Sequence, residues 1–190
     1  MRPVTTLPRP HQVTVRRILA YAIDAVGLFA LLAPLTGWSI RRRGVADGPP
    51  PALYPSLVRW FSAPTWAAMI AADATSGRTP GKRIIGVRAV GADGRHPTVR
   101  QAVVRTAVKL VPWELAHLGL FRLARRTPWD TPVSRVVTGT ANALLVAWLS
   151  ATIRSRGALG PHDVVAGTRV VRADSRIGVA ERSINRTARG

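Results

Sequence analysis

The apolar positions of this chain are gathered into blocks, and the two longest blocks hold almost no charge. From Ile18 to Ile40, 23 residues contain one ionisable group, Asp24. From Val136 to Ile153, 18 residues contain none, and Arg135 and Arg154 fence them. A helix needs about 20 apolar residues to cross hydrocarbon, so both blocks have the length of a membrane crossing. The core helix of a soluble protein is the competing reading, but a chain this short seldom needs two. The first block is expected to be a retained crossing. It is longer than a typical leader's apolar region, holds an acid, and lacks a small-residue cleavage site. Two weaker blocks follow. Leu53 to Ala74 is apolar apart from Arg59 and Asp73 near its ends, where a side chain reaches the interface. Thr106 to Phe121 carries Lys109, Glu114 and His117 and is interrupted by Pro112; it crosses, re-enters or lies on the surface. The pattern predicts an all-α polytopic membrane protein with three to four transmembrane helices and a small cytoplasmic β-hairpin or strand element.

The segments between the blocks have their own signals. Ile84, Ile85, Val87, Ala89 and Val90 have strand character and Ala92-Asp93-Gly94 is turn chemistry, so a hairpin is expected, with Pro97 weakening its second arm. Thr98 and Gln101 have the spacing of a capping box. Val99, Ala102, Val103, Thr106, Ala107 and Leu110 then recur at helical spacing, with Arg100, Arg105 and Lys109 largely off that stripe. This describes either a basic amphipathic helix lying among headgroups or an ordinary packed helix. After Leu159 the sequence predicts a short helix stopped by Gly167, then a strand, Thr168–Arg172. That strand is expected to pair with the hairpin around Gly86–Val90, because a lone two-stranded hairpin is marginal. Residues 1–11 read as an N-terminal tail, 12–172 as the membrane domain and 173–190 as a flexible basic C-terminal tail.

Charge sharpens the membrane reading. The 190 residues, one domain's worth, hold 28 basic and 9 acidic side chains, a formal charge of +19, with 47% hydrophobic residues. Such a chain needs an acidic partner, either nucleic acid or an anionic bilayer. The arginines punctuate apolar runs and do not line one face with stacking aromatics. Trp38, Trp60 and Trp129 lie near segment ends, as an interfacial belt requires. The expected partner is therefore a lipid bilayer with anionic headgroups and no nucleic acid; self-association is left open. If all four blocks cross and the N-terminus is cytoplasmic, the basic residues divide 19 inside to 7 outside. Three crossings make the division 16 to 11. The positive-inside rule favours the first arrangement, with both termini cytoplasmic at the inner membrane.

Candidate chemistry is sparse. The absence of cysteine excludes a disulfide framework, a Cys-ligated zinc and a thiol nucleophile. The run Gly77 to Arg83 invites a phosphate-loop reading that fails, since only three residues separate the glycines and Arg83 follows Lys82. Gly81 is expected to turn the chain below the membrane, and Lys82 and Arg83 to meet lipid phosphates. His162 beside Asp163 handles a proton or caps a helix; one His and one Asp are too few for a metal site. No nucleophile, base and orienting group stand at recognisable spacing, so no enzyme, cofactor or metal is expected. Asp24 matters more. An ionised Asp near the bilayer centre costs about 2.5–3.5 kcal/mol on insertion scales, so it is paired, protonated or water-lined. Arg17 shares its helix face, about 10 Å away along the axis at ~1.5 Å per residue. The expected partner is Arg17 or the segment of Asp163, with Asp73 a second acid facing the bundle.

Three pieces of the chain are together similar to a known family. They are Arg17-Ile-Leu-Ala-Tyr-Ala-Ile-Asp24, Thr79-Pro-Gly81-Lys82-Arg83-Ile-Ile-Gly86, and His162-Asp163-Val-Val-Ala-Gly167-Thr168. The likeness, over about residues 12 to 172, is to the RDD family of integral membrane proteins, named for an Arg and two Asp. Arg17, Asp24 and Asp163 match those positions. Pro80 and the pair Gly160-Pro161 depart from the family's usual residues without touching them. The resemblance implies a small bacterial inner-membrane protein; some members have been linked to cation/proton antiport. The expected function is thus cation/proton or small-solute transport through a polar centre of Arg17, Asp24, Asp73 and Asp163. The alternative is a non-transporting membrane assembly or partner-binding protein.

Overall fold

Two long helices frame the molecule. The computed structural model describes residues 10–155 and 159–173. The first helix, α1 (Pro10–Arg42), ends in Arg41 and Arg42, cations suited to the negative end of a helix dipole. Arg42 also lies over the Trp38 ring, 5.2 Å from its centroid. The other long helix, α6 (Pro132–Arg154), starts at Thr131, whose hydroxyl accepts the Ser134 N–H while Ser134 reaches back, a capping box. Both are long and apolar enough to cross a membrane. In their most apolar windows only 17% and 11% of residues are buried inside the molecule, whereas the core helix of a soluble protein is mostly covered. Val26, Leu31, Val136 and Val146 are each more than 60% exposed.

The other two apolar blocks are helices that change pitch. α2 (Pro50–Leu57) runs through a π-helical turn, Val58–Ser62, into α3 (Ala63–Ser76), with helical backbone angles at both junctions. Pro64 lacks an N–H and crowds the carbonyl four residues back, and the wider turn just before it makes room. The fourth block belongs to α5 (Val99–His117), which opens with the expected Thr98–Gln101 capping box and continues into a second π turn, Leu118–Arg122. Pro112 does not stop it. The helix packs against α3, α6 and a short helix, α7 (Pro161–Ala166), so the packed reading holds and the headgroup-layer reading falls.

The remaining elements are two copies of one device. α4 (Pro80–Ile85) begins with proline, ends at a left-handed Gly86 and leads into β1 (Val87–Gly91). α7 (Pro161–Ala166) likewise begins with proline, ends at a left-handed Gly167 and leads into β2 (Thr168–Arg172). The strands pair antiparallel from Val87↔Arg172 to Gly91↔Thr168, so an approximate twofold axis passes between Ala89 and Val170. The expected pairing of Thr168–Arg172 with the 86–90 region is present. The expected local hairpin is not. Ile84 and Ile85 end a helix, and beyond β1 the chain closes a turn through Gly91 N–H to Arg95 O at 2.9 Å. Pro97 offers no N–H to carry a second arm further.

Ala20 of α1, Val87 and Val170 form the small apolar core that ties these units to the first long helix. Arg16 donates to the Ile85 carbonyl at 2.7 Å, holding the end of α4. α1 already begins at Pro10; the rest of the expected N-terminal tail, and residues 174–190 of the C-terminal one, lie outside the described residues.

Candidate functional site

On α1, Arg17, Ala20 and Asp24 recur at helical spacing and so share one face, which lies along α4. Gly81 permits the approach. A Cβ there would fall on the Ala20 carbonyl oxygen and stand 3.0 Å from the Asp24 carboxyl carbon. Asp24 is inward and 5% exposed, as expected, but its partner is different. It accepts the Thr79 hydroxyl and, at 2.7 Å, the Gly81 N–H. Asp24 thus sits on the N-terminal turn of α4, where N–H groups lack helical partners and a carboxylate is favoured. Arg17, nearly two turns away, points elsewhere.

Arg17 belongs to a chain of buried charges. Its Nη2 donates to Asp163 Oδ2 at 2.6 Å. The other Asp163 oxygen accepts from Arg105, whose Nε donates to Asp73 at 3.0 Å. Asp73 also accepts the Lys82 ammonium. The sequence Arg17–Asp163–Arg105–Asp73–Lys82 therefore links α1, α7, α5, α3 and α4. Asp163 is fully buried, Arg105 2% and Asp73 4% exposed. Thr168 Oγ1 and the Gly160 N–H complete the shell of Asp163 at 3.2 and 2.8 Å. Lys82 and Asp163 occupy the same third position of α4 and α7, with opposite charge.

The placements correct several expectations. Lys82 is buried against Asp73, away from any headgroup, and burial, with the Arg105 cation second, lowers its ammonium to about 8. Gly81 is an interhelical spacer, not a bare turn. Arg83 alone of that trio is exposed. Asp73 does face the bundle. Arg105, read as lying off the apolar stripe of a helix either among headgroups or packed, bridges the two acids at its centre. The signal for it was present: two buried carboxylates on separate segments call for a cation between them, and Arg105 immediately precedes the Thr106–Phe121 block.

His162 lines the same region. Arg17 Nη2 lies 3.1 Å from its Nε2, and a guanidinium only donates, so Nε2 accepts and Nδ1 carries the proton. Nδ1 is buried with no hydrogen-bond partner among the described residues. Burial first, then the cations Arg105, Lys109, Arg17 and Lys82, hold the ring far below the ordinary histidine range. Unfolded, the imidazole binds a proton near pH 6.5; folded, it stays neutral. The unfolded state thus takes up more protons on acidification, and stability falls below about pH 6.5 by about 1.4 kcal/mol per pH unit from this group. Unfolding midpoints in detergent at about pH 7.5 and about pH 5.5 test this. His162→Gln should lose less on acidification than the parent; an equal loss would assign the effect elsewhere.

Beside the charged chain lies a cavity of about 340 Å³ between α1, α5 and α6. Its charged lining is Arg17, Lys82, Arg105 and Lys109, with Asp24 as the acid. Lys109 differs from the other three cations. Its ammonium stands 4.7 Å from the Tyr21 ring centroid, and no described carboxylate lies within 4.0 Å of it. Ile18, Leu145 and Leu149 give the rest of the lining an apolar character. Among the described residues no three His, Asp or Glu side chains gather to hold a metal. A second polar cluster joins the first π turn to α3 and α5: Ser62 Oγ and Trp66 Nε1 donate to Glu114 at 3.1 and 2.9 Å beside His117.

The RDD family profile matches residues 13–167, from the start of α1 through the stop of α7. The chain belongs to the RDD family. Comparison with curated proteins and with solved structures gives no match. In this RDD chain Arg17, Asp24 and Asp163, the residues that carried the sequence resemblance, do different work. Arg17 and Asp163 are direct partners, while Asp24 holds the turn of α4.

Proposed function

We propose that this protein is a multi-pass protein of the inner membrane that binds an anionic solute in the cavity beside its charged centre. One observation carries the reading: four cations and a single carboxylate line a cavity large enough for a small molecule. Low-dielectric walls focus such a field on an anion. A cation/proton exchanger instead needs an acid that changes charge along an access route. Asp24, Asp73 and Asp163 are each engaged by fixed donors, so the geometry favours small-solute binding over cation exchange.

The helical runs 50–76 and 99–122 are about 40 and 36 Å long at ~1.5 Å per residue, against hydrocarbon ~30 Å thick. Four crossings then agree with the 19-to-7 basic balance, and the two helix–strand units lie on the cytoplasmic side with both termini. The non-transporting alternative uses the same charged chain as a structural tie alone. Thermal unfolding of the detergent-solubilised protein separates these readings. Small monovalent oxyanions, added as sodium salts, should raise the midpoint over sodium chloride at equal ionic strength. Magnesium and potassium chlorides should not. Stabilisation by the cations, or by no anion, would overturn the proposal; flux of a stabilising anion in proteoliposomes then tests transport.

A further inference from the structure

We infer that the ligand of this cavity is a lipid with one anionic phosphodiester, seated between α1 and α6 with its phosphate at Lys109. The inference rests on the anion-binding reading above and adds the identity of the ligand. Its first support is the cavity's two-sidedness. The basic lining comes from α1, α4 and α5, while α6 contributes Leu145, Trp148 and Leu149. A free inorganic anion would leave that apolar wall without a partner, whereas an acyl chain covers it.

The second support is the way in. α6 packs on α5 and its π turn, and α1 packs on α4 and the π turn at 58–62. Between these pairings the cavity is bordered by Ile18, Leu145 and Leu149, which are 41–52% exposed on the two most lipid-accessible helices. A ligand in the bilayer plane reaches the basic lining from the side without crossing the polar units below.

Charge selects the head. Four cations, Arg17, Lys82, Arg105 and Lys109, stand against three carboxylates, Asp24, Asp73 and Asp163. The excess is one positive charge, on the side of the cavity where Lys109 lacks a described carboxylate. An ammonium without a counter-charge in a water-poor setting is costly, and one phosphodiester balances it. A phosphate dianion overshoots. Trp148, whose buried indole N–H has no hydrogen-bond partner among the described residues, borders the same space. A small ring rotation would give it a phosphate or glycerol oxygen, and indole rings favour that depth in a bilayer.

The test uses the full chain in detergent, with unfolding midpoints read against added ligands. Dihexanoyl phosphatidylglycerol should raise the midpoint by about 5 °C at saturation. Dihexanoyl phosphatidylcholine and inorganic phosphate at the same concentration should raise it far less. Lys109→Gln should weaken the response about tenfold in concentration. Arg95→Gln, which removes an exposed cation remote from the cavity, should leave it unchanged. Leu149→Trp fills the apolar side without altering charge, so it should abolish the lipid response even if Lys109→Gln fails to fold. If inorganic phosphate stabilises as well as the lipid does, the anion reading stands and the lipid inference falls. Equal effects of the two lipids, or equal losses in Arg95→Gln and Lys109→Gln, also overturn the inference, the latter by revealing surface adsorption. A response to no anion of any kind removes both readings.

Discussion

Asp163→Ala should all but remove this protein from the membrane fraction. The carboxylate is fully buried and accepts from Arg17 at 2.6 Å, from Arg105, from Thr168 Oγ1 at 3.2 Å and from the Gly160 N–H at 2.8 Å. Alanine leaves two guanidiniums sharing a water-poor site with one fewer counter-charge. Breaking a buried ion pair from one side costs about 3–5 kcal/mol, a large part of a typical net stability of about 5–15 kcal/mol. The first turn of α7 loses its capping acid in the same step, and β2 loses its tie to that helix through Thr168. Immunoblots of membrane fractions, with unfolding midpoints of whatever protein accumulates, measure the effect. Arg17→Ala should cost less, because Asp163 keeps Arg105, Thr168 and the backbone donor. The double variant should cost less than the sum of the two single ones, since both remove the same pair. Normal abundance and an unchanged midpoint for Asp163→Ala would show that the charged chain does not hold the helices together.

The long helices were legible because bilayer hydrocarbon imposes one strong rule, and Ile18–Ile40 and Val136–Ile153 obey it. The ladder between the strands was legible as well: two short β-branched runs had no other partner. What failed was the reading of residues 80–85. Ile84 and Ile85 have strand propensity, but propensity is a weak guide over six residues. Pro80 at a first turn and Gly86 at a left-handed stop define a helix of that length, as Pro161 and Gly167 do in the unit correctly read as a helix. Comparing the two units would have shown the repeat. The charged centre was half legible. Arg17, Asp24, Asp73 and Asp163 stood out as charges near or within apolar runs. Their partners did not, because pairing joins residues as far apart as Arg17 and Asp163, and no periodicity reports on that. Arg105 was read as lying off the apolar stripe, where an amphipathic helix turns its cations to water or headgroups. In a helix bundle bordered by lipid the exposed face is apolar, and the cations turn inward to the acids.

The closest backbone approach at the site predicts a loss from the smallest substitution. Gly81→Ala should lower the unfolding midpoint by about 6–12 °C, equivalent to about 3 kcal/mol in a protein of this size. The added Cβ meets the Ala20 carbonyl oxygen, which belongs to α1's backbone and cannot swing aside as a side-chain end could. The helices must part. Overpacking of this kind costs about 1–3 kcal/mol, and separation also stretches the 2.7 Å bond from Gly81 N–H to Asp24, a charge-assisted bond worth about 1.5–3 kcal/mol. Lys82, the next residue, is drawn away from Asp73, so the damage spreads into the charged chain. Gly27→Ala supplies the comparison. It lies three residues beyond Asp24 on the same helix with nothing within 4 Å of its added Cβ, and alanine there should gain about 0.5–1 kcal/mol from helix propensity alone. Opposite shifts for the two variants would show that α1 and α4 are held at backbone distance around Asp24. If Gly81→Ala is as harmless as Gly27→Ala, α4 does not dock there, and Asp24 must find its partner elsewhere.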